Sequence, residues 1–364
     1  MTRVAFSYDI FSAQRLGGVG RSMIELARGL SSTSTEWWLW GGENDNALLR
    51  ATEREEWVKG RIIQGRLHHP GRIVGSYRNE SKFAHWLDRS GVPVVHRTYY
   101  PLIDRVQHRA RTVETLHDMW DERATYSEDP PALLRSAMKR RALRRADLIV
   151  CVSESTRSEL AAIWPWAESK SVVIPHGIRP LSAHSEKPPI DRPFFLFVGR
   201  RRMYKNFSIV PEALRRSGLR DHLIVCFGGG ALTQQERATI AHAGLSGRVL
   251  QVDGGDDSLA GFYETATALL HPSTYEGFGL PLLEAMIHDC PVVAAPLTSL
   301  PEVGGDAACF ADAQDPDAWA ALLVRLAEDD AFRRILQERG RERAAHYDWN
   351  RTAVAYMQQY RALT

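Results

Sequence analysis

Long apolar segments are missing from the sequence. A membrane-spanning helix needs about 20 consecutive apolar residues, and no run approaches that length. The opening stretch MTRVAFSYDIF predicts a strand followed by a loop and lacks the apolar core of a signal peptide. We therefore expect a cytoplasmic protein, a localisation that still allows docking at the inner face of the cytoplasmic membrane.

Cysteine is scarce and scattered. Cys151, Cys226, Cys290 and Cys309 lie far apart, and no two have the spacing of metal ligands or of a redox pair. Three of them lie in or beside apolar runs, which is typical of small buried side chains in a reducing compartment. No Asp-x-Asp metal motif lies in a plausible place either, and GGDD at 254–257 is best interpreted as a loop. We predict no metal site.

An excess of charge of one sign is absent as well. The chain has 46 basic and 44 acidic residues, a formal net charge of +2. This balance does not favour nucleic acid as the main partner. The basic residues are mostly arginine, whose forked donors suit phosphate groups.

The order of apolar runs predicts the fold class. With 364 residues the chain is too long for one ordinary core. Runs such as RVAFSY, ADLIVCVSE and HLIVCFGGG alternate with helical patterns, which indicates an α/β protein with doubly wound parallel sheets. We predict two Rossmann-like domains, at 1–180 and 193–345, joined by the Pro- and Ser-rich linker 181–192. Domains that face each other would form a cleft lined by the carboxyl ends of strands.

The segment HPSTYEGFGLPLLEAM carries the clearest chemical pattern. Gly277 and Gly279 permit unusual dihedral angles, and Pro281 suits the first turn of a helix. Backbone N–H groups and a helix N-terminus would then form an anion site. Glu284 is spaced to reach a ribose diol and Glu276 to accept hydrogen bonds from sugar hydroxyls, which together describe a nucleotide-sugar site. A surface turn with two solvated glutamates is the alternative.

A cluster of cations follows another predicted strand, in FVGRRRMYKNF. Arg200, Arg201 and Arg202 come directly after a glycine, and Lys205 follows three residues later. At the end of a strand such a cluster would neutralise a diphosphate leaving group, with arginine as a fork and lysine as a point charge. The alternative is a solvated basic loop.

Glycines also follow the first strand, in RLGGVGRSM. Gly17, Gly18 and Gly20 lie between the predicted first strand and first helix, as in a dinucleotide fingerprint. The acidic residue that would bind a ribose at the end of the next strand is not evident. The alternative is a loop through which the backbone approaches a phosphate or sugar.

Two histidines end predicted strands. His117, in TLHDMW, could donate to a sugar hydroxyl or a phosphate, and the competing interpretation is a packed side chain. For His96, in VVHRTYY, the packed interpretation is favoured.

Taken together, these motifs resemble glycosyltransferase family 4, the retaining enzymes of the GT-B fold. PSTYEGFGLPLLEAM with PVVAAPLTSLPEVGGDAA is similar to the family signature, and its Glu-x7-Glu pair matches Glu276 and Glu284. FVGRRRMYKN, FYETATALLHPS, ADLIVCVSESTRSEL and VVIPHGI resemble further family segments, although His176 replaces the usual asparagine in the last. HYDWNRTA resembles the terminal motif whose helix, here 346–364, crosses back to the N-terminal domain. The resemblance is looser between about Trp37 and Val92.

The resemblance implies a role for each matching residue. Glu284 would bind the ribose, and Glu276 the hydroxyls of the donor sugar. Lys205, with Arg200 or Arg201, would stabilise the departing diphosphate. The remaining contacts would come from His117 to the sugar or its phosphate, from the backbone of Phe278, Gly279 and Leu280 to the phosphates, and from Gly17 and Gly18 on the N-terminal side.

The resemblance further implies retention at the anomeric carbon without a metal or other cofactor. The N-terminal pattern is most similar to bacterial mannosyltransferases of polysaccharide and O-antigen assembly, which favours GDP-mannose as donor over UDP-sugars. The acceptor would be a glycan or a lipid-linked saccharide. KGRIIQGRLHHPGRIVGSYRNESKFAHW and the basic stretch MKRRALRR are candidates for contact with anionic headgroups, and a solvated basic face is the alternative.

Other protein classes use related folds. A nucleotide-sugar epimerase or an NAD-dependent dehydrogenase would also have Rossmann-like domains. The epimerase would normally show a complete Gly-x-x-Gly-x-x-Gly pattern near the N-terminus and a Tyr-x-x-x-Lys pair, but GGVGR fits the first poorly and no convincing pair is evident. A phosphorylase of this fold would carry pyridoxal phosphate on a lysine. A non-catalytic protein that only binds nucleotide-sugar is the alternative from another class.

Overall fold

The computed structural model describes residues 2–15, 17–44, 46–52, 61–65, 72–103, 109–123, 130–182, 185–201 and 203–364. The chain divides into two compact units. The first unit comprises Met1–Gly177 and Trp349–Thr364, and the second comprises Ile178–Asp348. The stretch predicted to be a linker belongs to the second unit in this division, while the predicted domain boundaries themselves stay predictions.

The first unit is built on seven parallel strands. They are β1 Thr2–Phe6, β2 Thr35–Glu43, β3 Arg61–Gly65, β4 Val94–Arg97, β5 Arg111–Leu116, β6 Leu148–Cys151 and β7 Ser171–Val173. Its helices are α1 Asp9–Ala13, α2 Gly18–Leu30, α3 Ala47–Thr52, α4 Arg72–Ser90, α5 Pro130–Arg145 and α6 Glu154–Ile163. The strands lie in the order β3-β2-β1-β4-β5-β6-β7.

The second unit has six parallel strands. They are β8 Phe194–Val198, β9 Leu223–Phe227, β10 Val249–Val252, β11 Ala268–His271, β12 Val292–Ala294 and β13 Ala308–Phe310. The helices are α7 Ile209–Ser217, α8 Gln234–His242, α9 Asp256–Thr265, α10 Leu280–Ile287, α11 Leu300–Gly304, α12 Pro316–Glu328 and α13 Asp330–Ala344. The strands lie in the order β10-β9-β8-β11-β12-β13. Over the residues that the structure describes, no helix combines the length and apolar character needed to cross a bilayer.

Both sheets have the doubly wound strand order. In each unit the first three strands run outward in one direction, and the fourth returns to pair with the first. The strands are continuous apolar runs because helices cover both faces of a parallel sheet. In β8 and β9, for example, nine of the ten residues are buried. The predicted α/β class with two doubly wound sheets is confirmed.

The last helix, α14 Trp349–Ala362, belongs to the first unit and packs on α2 and β1. Gly29 of α2 lies against it so closely that a Cβ would be 2.9 Å from the Cβ of Ala353. The buried hydroxyl of Tyr360 lies 2.7 Å from Nδ1 of His96, whose Nε2 lies 2.8 Å from the hydroxyl of Thr115. The predicted return of this helix to the N-terminal domain is confirmed, and His96 has the packed role that was favoured.

Two loop predictions are wrong. Gly18 and Gly20 lie inside α2 and not in a loop before it, because the apolar face of that helix begins early and Gly20 packs near Ile10. Asp256 and Asp257, predicted to be in a loop, form the first turn of α9. Carboxylates are favourable there because the N-terminus of a helix carries partial positive charge.

The cysteine prediction agrees with the structure. Cys151, Cys226 and Cys290 are buried and Cys309 is half-buried, all as free thiols. Burial raises the pKa of Cys151 and of Cys226 to about 12, so both are neutral at pH 7. They act as small apolar side chains of the two cores.

Gly177 provides a test of how α14 is held. A Cβ at Gly177 would lie 2.3 Å from the backbone nitrogen of Trp349 and 2.5 Å from its Cα. Since backbone cannot move aside as a flexible side chain can, we expect Gly177→Ala to destabilise the first unit by at least about 2 kcal/mol. The thermal midpoint measured by calorimetry checks this.

Gly75 is the matched control. It lies within α4, where an added Cβ meets nothing within 4 Å. Gly75→Ala should raise stability slightly, by about 0.5–1 kcal/mol, because alanine is the better helix former. A Gly177→Ala variant as stable as the wild type would contradict the proposed tight contact with α14.

Candidate functional site

The carboxyl ends of β8 and β11 meet where the strand order of the second sheet reverses. Residues of β8 pair with β9 on one side and with β11 on the other. The loop after β8 includes a short 3-10 helix at Met203–Lys205, and the loop after β11 leads to α10. Thr274 joins the two loops, since its N–H donates to the carbonyl of Tyr204 at 2.7 Å. Such a reversal is where open α/β sheets bind ligands.

Lys205 and Glu276 form an ion pair at this point. The ammonium Nζ lies 2.5 Å from Oε1 of Glu276, and both side chains are about one-seventh exposed. Nε2 of His271, the last residue of β11, lies 2.9 Å from the same oxygen, and Oγ of Ser273 lies 3.2 Å from that nitrogen. The structure thus brings together two of the predicted catalytic residues and adds a histidine.

The electrostatics keep Glu276 ionised. Burial alone would raise the pKa of Glu276, but the Lys205 ammonium and the hydrogen bond from His271 lower it well below its usual range. Burial lowers the pKa of His271, although Glu276 opposes this. A neutral imidazole next to an ionised carboxylate donates through Nε2, so His271 is a donor to Glu276 at pH 7.

The turn before α10 requires glycine. Gly279 has φ +106°, and a Cβ there would meet Cδ2 of Leu300 at 2.8 Å. The hydroxyl of Ser299 donates to the carbonyls of Glu276 and Phe278, at 2.9 and 2.8 Å. These bonds hold the turn that leads into α10, whose first N–H groups lack partners within the helix.

Thr298 adds a further contact to the turn, because its hydroxyl accepts from the N–H of Glu276 at 3.0 Å. Leu280 begins α10, with Pro281 in its first turn. A glycine turn and a helix N-terminus are therefore present at Phe278, Gly279 and Leu280, as predicted. That their N–H groups bind an anion stays a prediction.

Glu284 lies one turn into α10. The buried hydroxyl of Tyr263, from α9, donates to its Oε2 at 3.1 Å. Tyr263 in turn stacks on the ring of His288, with an interplanar angle of 9°. The carboxylate of Glu284 is therefore held by a rigid aromatic neighbour and is not a solvated surface glutamate.

The two arginines of the loop after β8 have different surroundings. Arg201 donates to the carbonyls of Gly228 and Gly230, at 3.2 and 2.6 Å, and to Oε1 of Gln251 at 2.7 Å. Its guanidinium also pairs with Glu236 at 3.0 Å, and its side chain is 2% exposed. Arg200 is exposed and makes no hydrogen bond or ion pair within the described residues. Arg202, the third arginine, lies outside those residues.

The remaining predicted residues lie in the first unit. Gly17 precedes α2 and Gly18 begins it, with open space at the position of a Cβ on Gly18. His117 follows β5 and stacks on His176, with ring centroids 5.6 Å apart. Burial, followed by the neighbouring His96 and Lys139, lowers the pKa of His117 to about 3, so the ring is neutral. Its Nε2 is buried without a hydrogen-bond partner in the described residues.

A buried charge cluster lies at the strand reversal of the first sheet. Arg97 makes two hydrogen bonds to Glu80, at 3.0 and 2.8 Å, and lies 3.5 Å from Asp9. The hydroxyl of Ser7 also donates to Asp9. Burial raises the pKa of Asp9 to about 6 even though Arg97 opposes the shift. None of these residues was singled out in the sequence.

Two family profiles match the chain in succession. Residues 16–180 match glycosyltransferase family 4, and residues 181–343 match glycosyl transferases group 1. Together they cover all but the two ends of the chain. The chain is a glycosyltransferase of family 4.

Relatives of this glycosyltransferase act in different reactions. It is 42% identical over 108 residues to O-antigen chain mannosyltransferase B of Escherichia coli, a match that covers 30% of this chain and 28% of that protein. It is 28% identical over 302 residues to D-inositol 3-phosphate glycosyltransferase of Saccharomonospora viridis, covering 76% of this chain and 66% of that protein. The matched stretches thus span less than two thirds of these relatives.

Solved structures share the whole fold. One of them is HepE of Anabaena, solved in complex with UDP and glucose, which is 16% identical to this chain. The two structures superpose with a TM-score of 0.77, and the alignment covers 100% of each chain. At this identity the likeness establishes the GT-B fold alone. The predicted GT-B fold is confirmed.

Several contacts were not predicted from the sequence. His271 was part of the quoted HPSTYEGFGL segment but was given no role, because a histidine that ends an apolar strand is usually a packed residue. Tyr263, Thr298 and Ser299 are hydrogen-bonding side chains whose partners are distant in sequence. Only the three-dimensional structure pairs them with the site.

The two arginines can be separated by substitution. Because Arg201 fills carbonyl acceptors of the Gly228–Gly230 turn, we expect Arg201→Ala to destabilise the second unit by about 2–3 kcal/mol. Arg200→Ala removes an exposed side chain and should leave the thermal midpoint within about 1 °C, since surface changes cost little. Calorimetry on both variants checks this, and equal midpoints would refute the distinction.

Proposed function

We propose that this glycosyltransferase moves a hexose from a nucleotide-sugar to a glycan or lipid-linked saccharide, with retention at the anomeric carbon. The preferred donor is GDP-mannose, from which mannose would be transferred in bacterial surface polysaccharide assembly. The observation that carries the proposal is the convergence of the Lys205–Glu276 pair with the glycine turn and the N-terminus of α10 at one strand reversal.

Each part of that convergence suits a part of the donor. The N–H groups that begin α10 match phosphate oxygens, as at other helix N-termini. Glu284, held by Tyr263, lies where a ribose diol would accept and donate hydrogen bonds. Glu276 lies next to the ammonium of Lys205, so sugar hydroxyls and leaving diphosphate would meet adjacent groups of opposite charge.

The surroundings of the two arginines lead us to assign the diphosphate contact to Arg200. The guanidinium of Arg201 already donates to backbone carbonyls and to Gln251 and pairs with Glu236. Arg200, at the same strand end, is exposed. We propose that Arg200 and Lys205 together neutralise the diphosphate. This gives Arg201 a structural role and Arg200 the role near the reacting atoms.

In the proposed reaction the acceptor oxygen attacks the anomeric carbon on the face from which the diphosphate leaves. The bond from that carbon to the diphosphate oxygen breaks, and the leaving diphosphate takes the acceptor's proton. Charge separates in the transition state, so fixed cations and N–H donors contribute most of the stabilisation. In this proposal no metal or other cofactor takes part, and the neutral ring of His117 contacts the donor sugar or its phosphate.

The choice of base rests on the relatives. The match to an O-antigen mannosyltransferase supports GDP-mannose, but it covers 30% of this chain. A UDP-sugar is the second candidate, because the structurally similar HepE was solved with UDP and glucose. A protein that binds nucleotide-sugar without transfer is the third, and it would keep the same site without turnover.

The proposals for the acceptor and for a membrane contact are based on surface residues of the first unit. On α5 the leucines Leu133 and Leu134 are 48% and 57% exposed, and Arg140 and Arg144 are exposed along the same helix. Such a surface is compatible with anionic headgroups next to a lipid-linked acceptor. Much of the other candidate stretch, including 66–71, lies outside the described residues.

A thermal-shift panel with GDP, UDP, ADP and dTDP at equal concentration tests the site and the base. A nucleotide at 100 times its dissociation constant stabilises the folded protein by about 2.7 kcal/mol. We expect a shift with GDP that Glu284→Ala reduces strongly, because the ribose contact is lost. A shift with UDP alone would select the second candidate, and no shift with any nucleotide would contradict the proposed site.

Transfer assays test the role of Lys205. We expect Lys205→Ala to lower turnover at least a hundredfold, because one charge-stabilising contact in a transition state is worth about 3 kcal/mol. Activity should persist in EDTA if no metal takes part. Glu338→Ala, which removes an exposed side chain of α13 in the same unit, is the control with normal turnover. Near-normal turnover of a folded Lys205→Ala variant would refute the assignment.

A further inference from the structure

Both partners of the Glu276 carboxylate within the described residues contact the same oxygen. Nζ of Lys205 lies 2.5 Å from Oε1, and Nε2 of His271 lies 2.9 Å from Oε1. Oε2 has no protein partner there, and the side chain is 15% exposed. One oxygen is therefore anchored by two protein donors, and the other is left to accept from a ligand.

We propose that His271 is a positioning residue that holds Glu276 in place when Lys205 turns toward the departing diphosphate. The inference rests on the proposed roles of Glu276 and Lys205. Lys205 cannot hold Glu276 and stabilise the diphosphate at the same moment without dividing its charge between these two anions. We therefore assign the holding of Glu276 to His271.

The two partners differ in mobility. Lys205 is an ammonium on a four-carbon stem and can redirect its donors over several ångströms. His271 is 2% exposed, ends the central strand β11, and has Oγ of Ser273 3.2 Å from the nitrogen that faces Glu276. A ring fixed in this way keeps its direction whatever is bound.

The two partners also differ in charge. Because burial lowers the pKa of His271, the ring is neutral at pH 7 and has no strong attraction to a diphosphate. A diphosphate carries more negative charge than Glu276 and competes with it for Lys205. His271 would then be the remaining donor to Oε1, and Oε2 would keep its position for the hydroxyls of the sugar.

This role predicts an effect on the sugar and not on the nucleotide. Glu276 contacts the sugar in the proposed complex, so a loss of its alignment should weaken the nucleotide-sugar more than the nucleoside diphosphate. A residue that merely supports the fold would weaken both together. The comparison of the two ligands therefore separates positioning from stability.

The experiment compares His271→Leu, His271→Gln and His271→Asn. Leucine removes the donor. The amide nitrogen of glutamine can occupy the place of Nε2, whereas that of asparagine corresponds to Nδ1 and points elsewhere. Calorimetry gives the affinity for GDP and for GDP-mannose, or for UDP and UDP-glucose if the panel selects uracil, and a transfer assay gives kcat and KM.

We expect His271→Leu to bind the nucleoside diphosphate within about twofold of the wild type. Its kcat/KM for the nucleotide-sugar should fall about tenfold to a hundredfold, the usual loss for a charge-assisted hydrogen bond. His271→Gln should recover most of that loss and His271→Asn little of it. Equal losses for both ligands, or equal behaviour of glutamine and asparagine, would overturn the inference.

A double-mutant cycle with Glu276→Ala separates this inference from the proposed function. If His271 acts through Glu276, its substitution should have no further effect in the Glu276→Ala background. A Glu276→Ala effect without a His271→Leu effect would overturn the inference alone. If Glu276→Ala itself leaves the affinity for the nucleotide-sugar unchanged, the proposed role of Glu276 is wrong, and the inference falls with it.

Discussion

The pairing of β8 with β11 is the constraint on which the candidate site depends. These strands are separated in sequence by two strand–helix units, yet they are neighbours at the centre of the second sheet. Parallel crossovers are right-handed, so connections that leave β8 in one direction and β11 in the other diverge and open a crevice between their loops. The core fixes this crevice, because Phe195 and Leu270 are buried in the same cluster. Lys205 and Glu276 are in contact because β8 and β11, the strands that precede them, are held in a fixed register by their pairing and by the core.

The charged side chains at the strand ends of this unit differ in how fully the fold uses them. Gly228, Gly229 and Gly230 form a turn in which each residue has positive φ, and the carbonyls of Gly228 and Gly230 accept hydrogen bonds from Arg201. A guanidinium has five donors in a fixed fork and can satisfy such a turn, whereas an ammonium cannot match its geometry. The neighbouring Arg200 is thereby left exposed at the strand end. Two adjacent arginines of the same sequence motif thus have different surroundings, and the difference comes from a glycine turn 27 to 29 residues away.

The apolar runs predicted the fold well because strands buried on both faces of a parallel sheet are continuous apolar segments in the sequence. RVAFSY, ADLIVC and FFLFV are strands as expected. The site was predicted to the extent that its residues lie in one continuous motif, as Glu276, Gly279 and Glu284 do. His271 and Tyr263 were missed because their importance depends on which side chain their polar atom faces. The buried charge cluster was missed as well, because its members Arg97, Glu80 and Asp9 lie in three different elements. No local sequence pattern predicts that they are in contact.

In the proposed reaction, a charge-separated transition state would make two demands that one side chain does not meet alone. The cation near the leaving group must follow charge as it moves onto the diphosphate, which favours a flexible ammonium. The carboxylate near the sugar must stay fixed, because a displacement of about 1 Å at a reacting centre can cost a hundredfold in rate. In this chain Lys205 and His271 share one oxygen of Glu276, the first on a flexible stem and the second fixed in a buried strand. A mobile cation and a rigid neutral donor on the same carboxylate would meet both demands of the proposed reaction.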